Sequence, residues 1–236
     1  MFRLTAAALI VATLTACSVM KRPVAEEDLV KTKRVGVVSI LGDTFHGISI
    51  GTMVFNNAYF QAPVADWNVD KHATTTALGL LRSTTQFESV EMDRGQLSLE
   101  KIQADKGQQL WAAAEKQGFD KVVIIRPGVS SNFPHFRPGF GLMERSLLGA
   151  GRRCMYAAYV VDVYEVASRK EVAWEWGGYE PCRIGGDNEI AFKAKFDDYS
   201  PAEQQAMRKK LEMRIAETLR YSLTKLALVP EVKVAK

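Results

Sequence analysis

Two neighbouring residues, Asp43 and Thr44, could support nucleophilic chemistry at the end of the apolar stretch RVGVVSIL at 34–41, from which only Gly42 separates them. A threonine hydroxyl acts as a nucleophile when a positioned base takes its proton and an oxyanion hole stabilises the developing charge. The three histidines of the chain are His46, His72 and His135. Their spacing contains no His-x-x-x-His or Cys-x-x-Cys pattern, so we expect no metal site and no cofactor.

The stretch SILGDTFHG resembles the SGNH hydrolases, in which the first strand ends in Gly-Asp-Ser and the serine is the nucleophile. Here Thr44 stands in the third position. The late Asp-x-x-His of that family is absent because no histidine follows His135, and this departure removes the catalytic base. A tight turn that leaves a central strand is therefore the favoured interpretation of Gly42–Thr44, and a hydrolase at Asp43 and Thr44 stays an alternative.

Cys17 is the clearest candidate for covalent modification. Residues 1–16 have Arg3 followed by an uncharged run from Leu4 to Leu14, which is typical of a signal peptide and too short to span a bilayer. Leu14-Thr15-Ala16-Cys17 resembles the bacterial lipobox, in which the cysteine is acylated with diacylglycerol and palmitate and becomes the new amino terminus. With Ser18 rather than Asp after the cysteine, the resemblance implies a lipoprotein of the outer membrane that faces the periplasm.

The remaining chain divides into a lipidated tether at 17–33, one domain at 34–229 and a short tail at 230–236. The tether is polar and charged, which suits a flexible linker. The chain has 31 Lys and Arg against 27 Asp and Glu, and loss of Arg3 with the signal leaves a net charge near +3. So small an excess argues against a nucleic-acid-binding protein.

Cys154 and Cys182 are the candidate disulfide. The residues between them are rich in Val, Tyr and Trp and are interrupted by the polar ASRK, which predicts a β-hairpin. Ser168 is the midpoint of the two cysteines and falls inside that turn, so the fold of the hairpin brings them opposite each other. The periplasm is oxidising, and pairing is expected there. A bulge at Gly177-Gly178 would shift the register and leave the two cysteines reduced.

Hydrophobic patterning predicts a single α/β domain. Apolar strands at 34–41 and 121–126 are typical of strands covered on both faces, with a helix around 69–81, a short strand at 87–92 and a second helix at 107–118 between them. Right-handed crossovers make part of this sheet parallel. A long amphipathic helix with a capping box at Ser200 and Pro201 closes the chain. We therefore expect a mixed sheet, with a partly parallel core and an antiparallel hairpin, flanked by helices.

Two segments interrupt this pattern. Residues 43–66 form an insertion in which Asn56-Asn57 suggests a second hairpin. Residues 127–153 contain three Pro and five Gly and are predicted to be a long loop. Within it, the aromatic and basic residues Phe133, Phe136, Arg137 and Phe140 are the candidate partner-binding residues, because Arg and aromatic side chains anchor interfaces. The same aromatic residues could instead fold back onto the domain.

The hairpin AAYVVDVYEVASRKEVAWEW, followed by a long helix, resembles a group of periplasmic α/β domains. The group includes the TolB amino-terminal domain, the periplasmic domain of the curli secretion channel, and lipoprotein activators of penicillin-binding proteins. Asp162, Trp174 and the turn at Ser168–Lys170 match its hairpin. The resemblance implies a non-catalytic adaptor of an envelope assembly or transport machine, with an envelope protein as partner. The alternatives are a small-molecule-binding lipoprotein and the hydrolase, both with the site at the end of the first strand.

Overall fold

The structure, a computed structural model, describes residues 23–53, 57–84, 86–95, 97–105, 107–128, 137–147, 150–177 and 190–231. The helices are α1 (Glu26–Lys31), α2 (Val69–Leu81), α3 (Leu99–Ala104), α4 (Gln108–Lys116) and α5 (Pro201–Lys225). The strands are β1 (Arg34–Ser39), β2 (Thr44–Ile50), β3 (Ala58–Pro63), β4 (Glu88–Glu91), β5 (Lys121–Pro127), β6 (Gly139–Leu147), β7 (Ala150–Glu165) and β8 (Lys170–Gly177). Short 3₁₀ turns lie at Ala65–Trp67 and Phe196–Asp198.

The eight strands form one mixed sheet in the order β3-β2-β6-β7-β5-β1-β4, with β8 paired to β7. Parallel pairs join β1 to β4, β1 to β5 and β2 to β6, and the other pairs are antiparallel. Strand β7 is long enough to pair with β6 through residues 150–158 and with β5 and β8 through residues 159–165. The predicted fold class, a single α/β domain with a partly parallel core and an antiparallel hairpin, is confirmed.

Helices cover both faces of the central strands, as their continuous apolar sequences predict. On one face, α2 and α5 pack over Val37, Val123 and Val161. On the other face, α4 packs through Trp111 over the alternate residues of β1 and β5. No helix in the described ranges combines the length and apolar character that crossing a membrane requires.

The predicted start of the closing helix α5 is confirmed. The Ser200 side chain accepts from the Glu203 backbone N–H, and the Glu203 carboxylate accepts from the Ser200 N–H, with Pro201 in the first turn. The apolar stripe of the helix is buried and consists of Met207, Leu211, Ile215, Leu219 and Leu223. Because this stripe packs on the sheet and on α2, the helix completes the main core.

Both predicted hairpins are present. Strands β7 and β8 join through a turn at residues 166–169, where Arg169 adopts the left-handed conformation with φ of 54°. The register shift of this hairpin lies at Val163–Tyr164. Strands β2 and β3 pair in antiparallel register from Thr44↔Pro63 to Ser49↔Ala58, and residues 54–56 between them lie outside the described residues.

Two predicted segments differ from the structure. The tether was predicted to reach residue 33, but Val24 and Leu29 are buried in the main core and the Val24 N–H donates to the carbonyl of Leu226. Residues 24–31 therefore belong to the domain. The predicted loop at 127–153 contains β6, whose glycines and apolar residues pair with β2 and β7.

Candidate functional site

A cavity of about 510 Å³ lies at the carboxyl ends of the parallel strands β1 and β4. We call it the strand-end cavity. The first turn of α2 forms one wall, and the segment after β4 forms the opposite wall. Its charged lining residues are Asp43, Asp70, Lys71, Glu91, Asp93 and Arg94. Open α/β sheets commonly hold ligands outside the carboxyl ends of their strands.

Asp70, in the first turn of α2, organises the floor of the strand-end cavity. Its Oδ1 accepts from the Ser39 hydroxyl at 2.7 Å and from the Leu41 backbone N–H at 2.6 Å. Its Oδ2 accepts from the Arg94 guanidinium, which also donates to the Ser39 carbonyl at 3.1 Å. The carboxylate therefore ties the end of β1 to the amino terminus of α2 and to the segment after β4.

A second ion pair crosses the rim of the cavity. Lys71 Nζ donates to Glu91 Oε2 at 2.7 Å and so connects α2 to β4. With Asp70 paired to Arg94, the two cations of the lining are both matched. Four carboxylates against two cations leave a net charge of −2, which resides on Asp43 and Asp93. Both residues are exposed.

Asp43 and Thr44, the residues of the hydrolase hypothesis, lie at this edge of the sheet, but neither described histidine is hydrogen-bonded to them as a base. Asp43 lines the strand-end cavity, and Thr44 begins β2. His46 is buried with its Nδ1 2.8 Å from the Tyr59 hydroxyl, and His72 Nε2 lies 3.0 Å from the carbonyl of Glu212. His135 lies outside the described residues. Neither described histidine forms a hydrogen bond to the Asp43 or Thr44 side chain.

The pKa of His46 is shifted by burial and by a nearby cation, not by a carboxylate that could form a catalytic pair with it. Burial lowers the pKa of His46, and the nearby positive charge of Arg137 lowers it further. The neutral imidazole is thus favoured in the folded protein. Asp43 does not contribute to this shift of the His46 pKa, so it gives no sign of a base acting on Asp43.

A second candidate surface forms where the two interrupting segments meet. The Arg137 guanidinium lies over the ring of Tyr59 with 5.2 Å from its Cζ to the ring centroid. Tyr59 is 46% exposed on β3, and both residues border a depression of about 240 Å³. The other residues that line it are Ile48, Ser49, Ile50, Asn57 and Ala58. We call these seven residues the Arg137–Tyr59 surface.

The predicted partner-binding residues have different positions. Phe133 and Phe136 lie outside the described residues. Arg137 is exposed, as expected of a contact residue. For Phe140 the expectation was wrong, because this side chain is fully buried in β6 and packs edge-on to Phe45 at 6.5 Å between ring centroids. The sequence left open whether these aromatic residues bind a partner or fold back onto the domain. Phe140 folds back and lies in the core.

The cysteine predictions remain predictions. Cys17 and Cys182 lie outside the described residues. Cys154 is 4% exposed on β7. Cys154 pairs with Met143 of β6, and the described β7–β8 pairing ends at Tyr159 and Gly177.

Sequence reasoning missed Asp70, Ser39 and Arg94. Asp70 carried a usable signal, because an acidic residue in the first turn of the helix after a strand often accepts from the intervening loop. Arg94 carried none, since its segment has no regular pattern. Among the described residues, no group of three or more His, Cys, Asp or Glu side chains is arranged to hold a metal ion.

Comparison with known proteins identifies no relative by sequence: no family model and no curated protein matches the chain. Among solved structures it is similar to two dodecamers of PelC from Paraburkholderia phytofirmans. The first, a single-residue variant, has 9% identity and a TM-score of 0.37, and the second has 8% and 0.36. Each match covers 88% of this chain and 94% of the other. The hypothetical protein CT253 from Chlamydia trachomatis matches with 10% identity and a TM-score of 0.31, covering 80% and 98%.

Proposed function

We propose that the chain is an outer-membrane lipoprotein whose periplasmic domain acts as a non-catalytic adaptor of an envelope assembly or transport machine. The lipid on Cys17 would hold the domain in a thin layer beside the membrane, which raises its effective concentration for a partner in that layer. Because Val24 already contacts the domain, the proposed tether is limited to residues 17–23. A tether this short keeps the domain close to the lipid surface.

The observation that carries the proposal is the contact between Arg137 and Tyr59. It joins the two segments that depart from the regular pattern of strands and helices, although they are far apart in sequence. Arg and Tyr are the residue types enriched at the centres of protein interfaces. Met53, which follows β2 in the same insertion, is 66% exposed.

The charge of Arg137 indicates the chemistry of the partner. Its guanidinium lies over the Tyr59 ring, and its positive charge acts on His46 and Tyr156. Among the described residues, Arg137 forms no ion pair with a carboxylate. A cation that is held over an aromatic ring without an acidic partner can bind a carboxylate from another molecule. We therefore assign to this surface a protein partner that presents an Asp or Glu beside an apolar side chain.

Photocrosslinking in intact cells tests the adaptor function. A photoreactive phenylalanine analogue at Tyr59 should give a discrete crosslinked product. The same analogue at Tyr221, a similarly exposed tyrosine on α5 with Lys225 over its ring, is the matched control and should give none. Arg137→Glu should reduce the Tyr59 product by roughly tenfold or more, because it reverses the charge at the interface. Equal products at both positions, or no effect of Arg137→Glu, would contradict the proposal.

The membrane anchor has its own test. Cys17→Ala should leave an unprocessed precursor that no longer fractionates with the outer membrane, because no acyl chain can be attached. Ser18→Ala, which keeps the cysteine and changes its neighbour, is the control and should fractionate normally. Normal outer-membrane fractionation of Cys17→Ala would refute the anchor.

A further inference from the structure

Two further cations lie on the same face of the sheet as the Arg137–Tyr59 surface. Arg145 of β6 and Arg152 of β7 are direct partners in the antiparallel register, so their side chains leave the same face. Arg145 is also the direct partner of Ile50 of β2, which lines the depression of that surface. The Arg145–Arg152 pair is therefore continuous with the surface proposed for the partner.

The register also gives the separation of these two positive charges. Directly opposite residues of an antiparallel pair have Cβ atoms about 4.5–5.5 Å apart, and like charges at such positions repel each other. Both arginines are exposed, and among the described residues neither forms an ion pair with a carboxylate. At the next cross-strand position Glu144 accepts from Arg153, and the alternation of side chains places both on the opposite face. An acidic group of another molecule would offset the repulsion.

The positions of the cations on adjacent strands indicate the shape of that molecule. Arg137 lies over Tyr59 on β3, and the order β3-β2-β6-β7 leads from there to the Arg145–Arg152 pair. Neighbouring strands are about 4.8 Å apart and residues two apart on a strand about 6.6 Å, so the pair lies roughly 12–16 Å from Tyr59. Between these cations, β2 contributes the apolar side chains of Ile48 and Ile50.

An extended peptide matches this spacing. Its residues i, i+2 and i+4 share one face, and the outer two lie about 13 Å apart. We propose that the partner docks an extended segment across this face, with an acidic side chain bound to Arg137, an apolar side chain on Ile48 and Ile50 two positions away, and a second acidic side chain, two positions further, bound to the Arg145–Arg152 pair. Charge-assisted hydrogen bonds from the guanidinium groups hold the two carboxylates. This inference rests on the proposed adaptor function and names the segment that the partner presents.

The place of the arginine pair in the sheet favours a protein over the headgroups of the anchoring membrane. The chain enters the sheet at the start of β1, where Lys121 of β5 pairs with Val35 on one side and with Glu165 of β7 on the other. Residues 152 and 165 lie near opposite ends of β7, roughly 40 Å apart along the strand at about 3.3 Å per residue. The pair is thus remote from the point at which the tether joins the sheet.

Fluorescence anisotropy with a labelled synthetic peptide tests this docking. The probe carries Glu, Leu and Glu at alternate positions, with Ser between them and at both ends, and it is titrated with the full-length protein in neutral detergent at low ionic strength. Saturable binding is expected. A peptide of the same composition with its two Glu residues adjacent presents one carboxylate on the other face of an extended chain, and it should bind roughly tenfold more weakly.

Substitutions of the arginine pair test the second contact. Arg145→Gln and Arg152→Gln should each weaken binding of the peptide by roughly fivefold, because each removes one guanidinium from the second carboxylate. Arg220→Gln makes the same change of charge at an exposed residue of α5 and should leave binding unchanged. Neither cross-strand variant should lower the melting temperature, because each removes a repulsion between like charges. A lower melting temperature with unchanged peptide binding would show that the pair has only a structural role.

Three other results would overturn the proposal. The first is the absence of saturable peptide binding to the folded wild-type protein, and the second is equal binding of the rearranged peptide. The third is a loss in Arg220→Gln as large as that in Arg145→Gln, which would mean that only the net charge matters. Binding to phosphatidylglycerol vesicles that requires Arg145 and Arg152, without binding of the peptide, would assign the pair to a lipid surface instead.

Failure of this docking mode and failure of the adaptor function are distinguishable in the crosslinking experiment at Tyr59. A Tyr59 product that depends on Arg137 but is unchanged in Arg145→Gln and Arg152→Gln would leave the adaptor function standing and contradict the docked segment. Arginine-dependent binding of the peptide without any Tyr59 product in cells would support the docking surface and contradict the adaptor function.

Discussion

Replacement of Asp70 should destabilise the domain through the backbone that it holds rather than through its ion pair. Asp70→Ala removes the acceptor of the Ser39 hydroxyl and of the Leu41 N–H. Ser39 is 1% and Leu41 5% exposed, so water cannot readily replace the lost carboxylate. Asp70→Asn keeps an oxygen for these donors but turns an amide N–H₂ toward the Arg94 guanidinium.

The magnitudes follow from the exposure of each partner. A buried donor left without an acceptor costs about 1–3 kcal/mol, so two donors give a loss of about 3–4 kcal/mol for Asp70→Ala. The Arg94 side chain is 45% exposed, and an ion pair this accessible contributes about 1 kcal/mol or less. Arg94→Met should therefore cost about 1 kcal/mol. Asp70→Asn should fall between the two, at about 2 kcal/mol, because it loses the ion pair and the charge that strengthens both hydrogen bonds.

Guanidinium unfolding followed by tryptophan fluorescence measures these free energies. Asp66→Ala, at an exposed position in the 3₁₀ turn before α2, is the control and should change the free energy of unfolding by less than about 0.5 kcal/mol. If Arg94→Met costs as much as Asp70→Ala, the ion pair and not the backbone contacts stabilises this edge, and the reasoning is refuted.

Two further predictions concern the cysteines and the pH dependence of stability. Thiol titration of the native mature protein should find no free thiol, and reduction of the unfolded protein should release two from Cys154 and Cys182; two reactive thiols before reduction would exclude the disulfide. Burial and Arg137 lower the pKa of His46 below its ordinary value of 6.5, so the unfolded chain takes up this proton first as the pH falls. The free energy of unfolding should therefore decrease as the pH falls through about 6.5, and His46→Gln should flatten this decrease, which thermal melts between about pH 7.5 and 5 would detect; an unchanged slope would assign it to other groups.

Local patterns predicted the central elements because their causes are local. The apolar runs that became β1 and β5 indicate burial on both faces, and the capping box at Ser200 needs only residues within one helical turn. The hairpin turn at 166–169 likewise follows from a polar break between two β-rich runs. Each of these features depends on neighbours in sequence, so one chain is enough to find it.

The predictions of a tether up to residue 33 and of a loop at 127–153 were wrong for the same physical reason. Polar composition suggested that residues 18–33 stay flexible, but two apolar side chains, Val24 and Leu29, suffice to dock α1 against the core beside the end of α5. Glycine and proline suggested a loop at 127–153, yet β6 pairs with β2 and β7 on either side. A strand between two others gains its hydrogen bonds from partners distant in sequence, and composition does not reveal them.

The sequence by itself determined the α/β class, the helical cap, the turn of the β7–β8 hairpin and the residues for which lipidation and a disulfide are expected. Only the tertiary structure decided that Asp70 and Arg94 meet at the end of β1, that Arg137 lies over Tyr59, and that Phe140 is buried. These contacts join residues that the chain separates by a helix, a strand or most of the domain. They form because parallel pairing brings the carboxyl ends of β1 and β4 to one edge and β6 beside β2, and that order of strands is a property of the whole sheet.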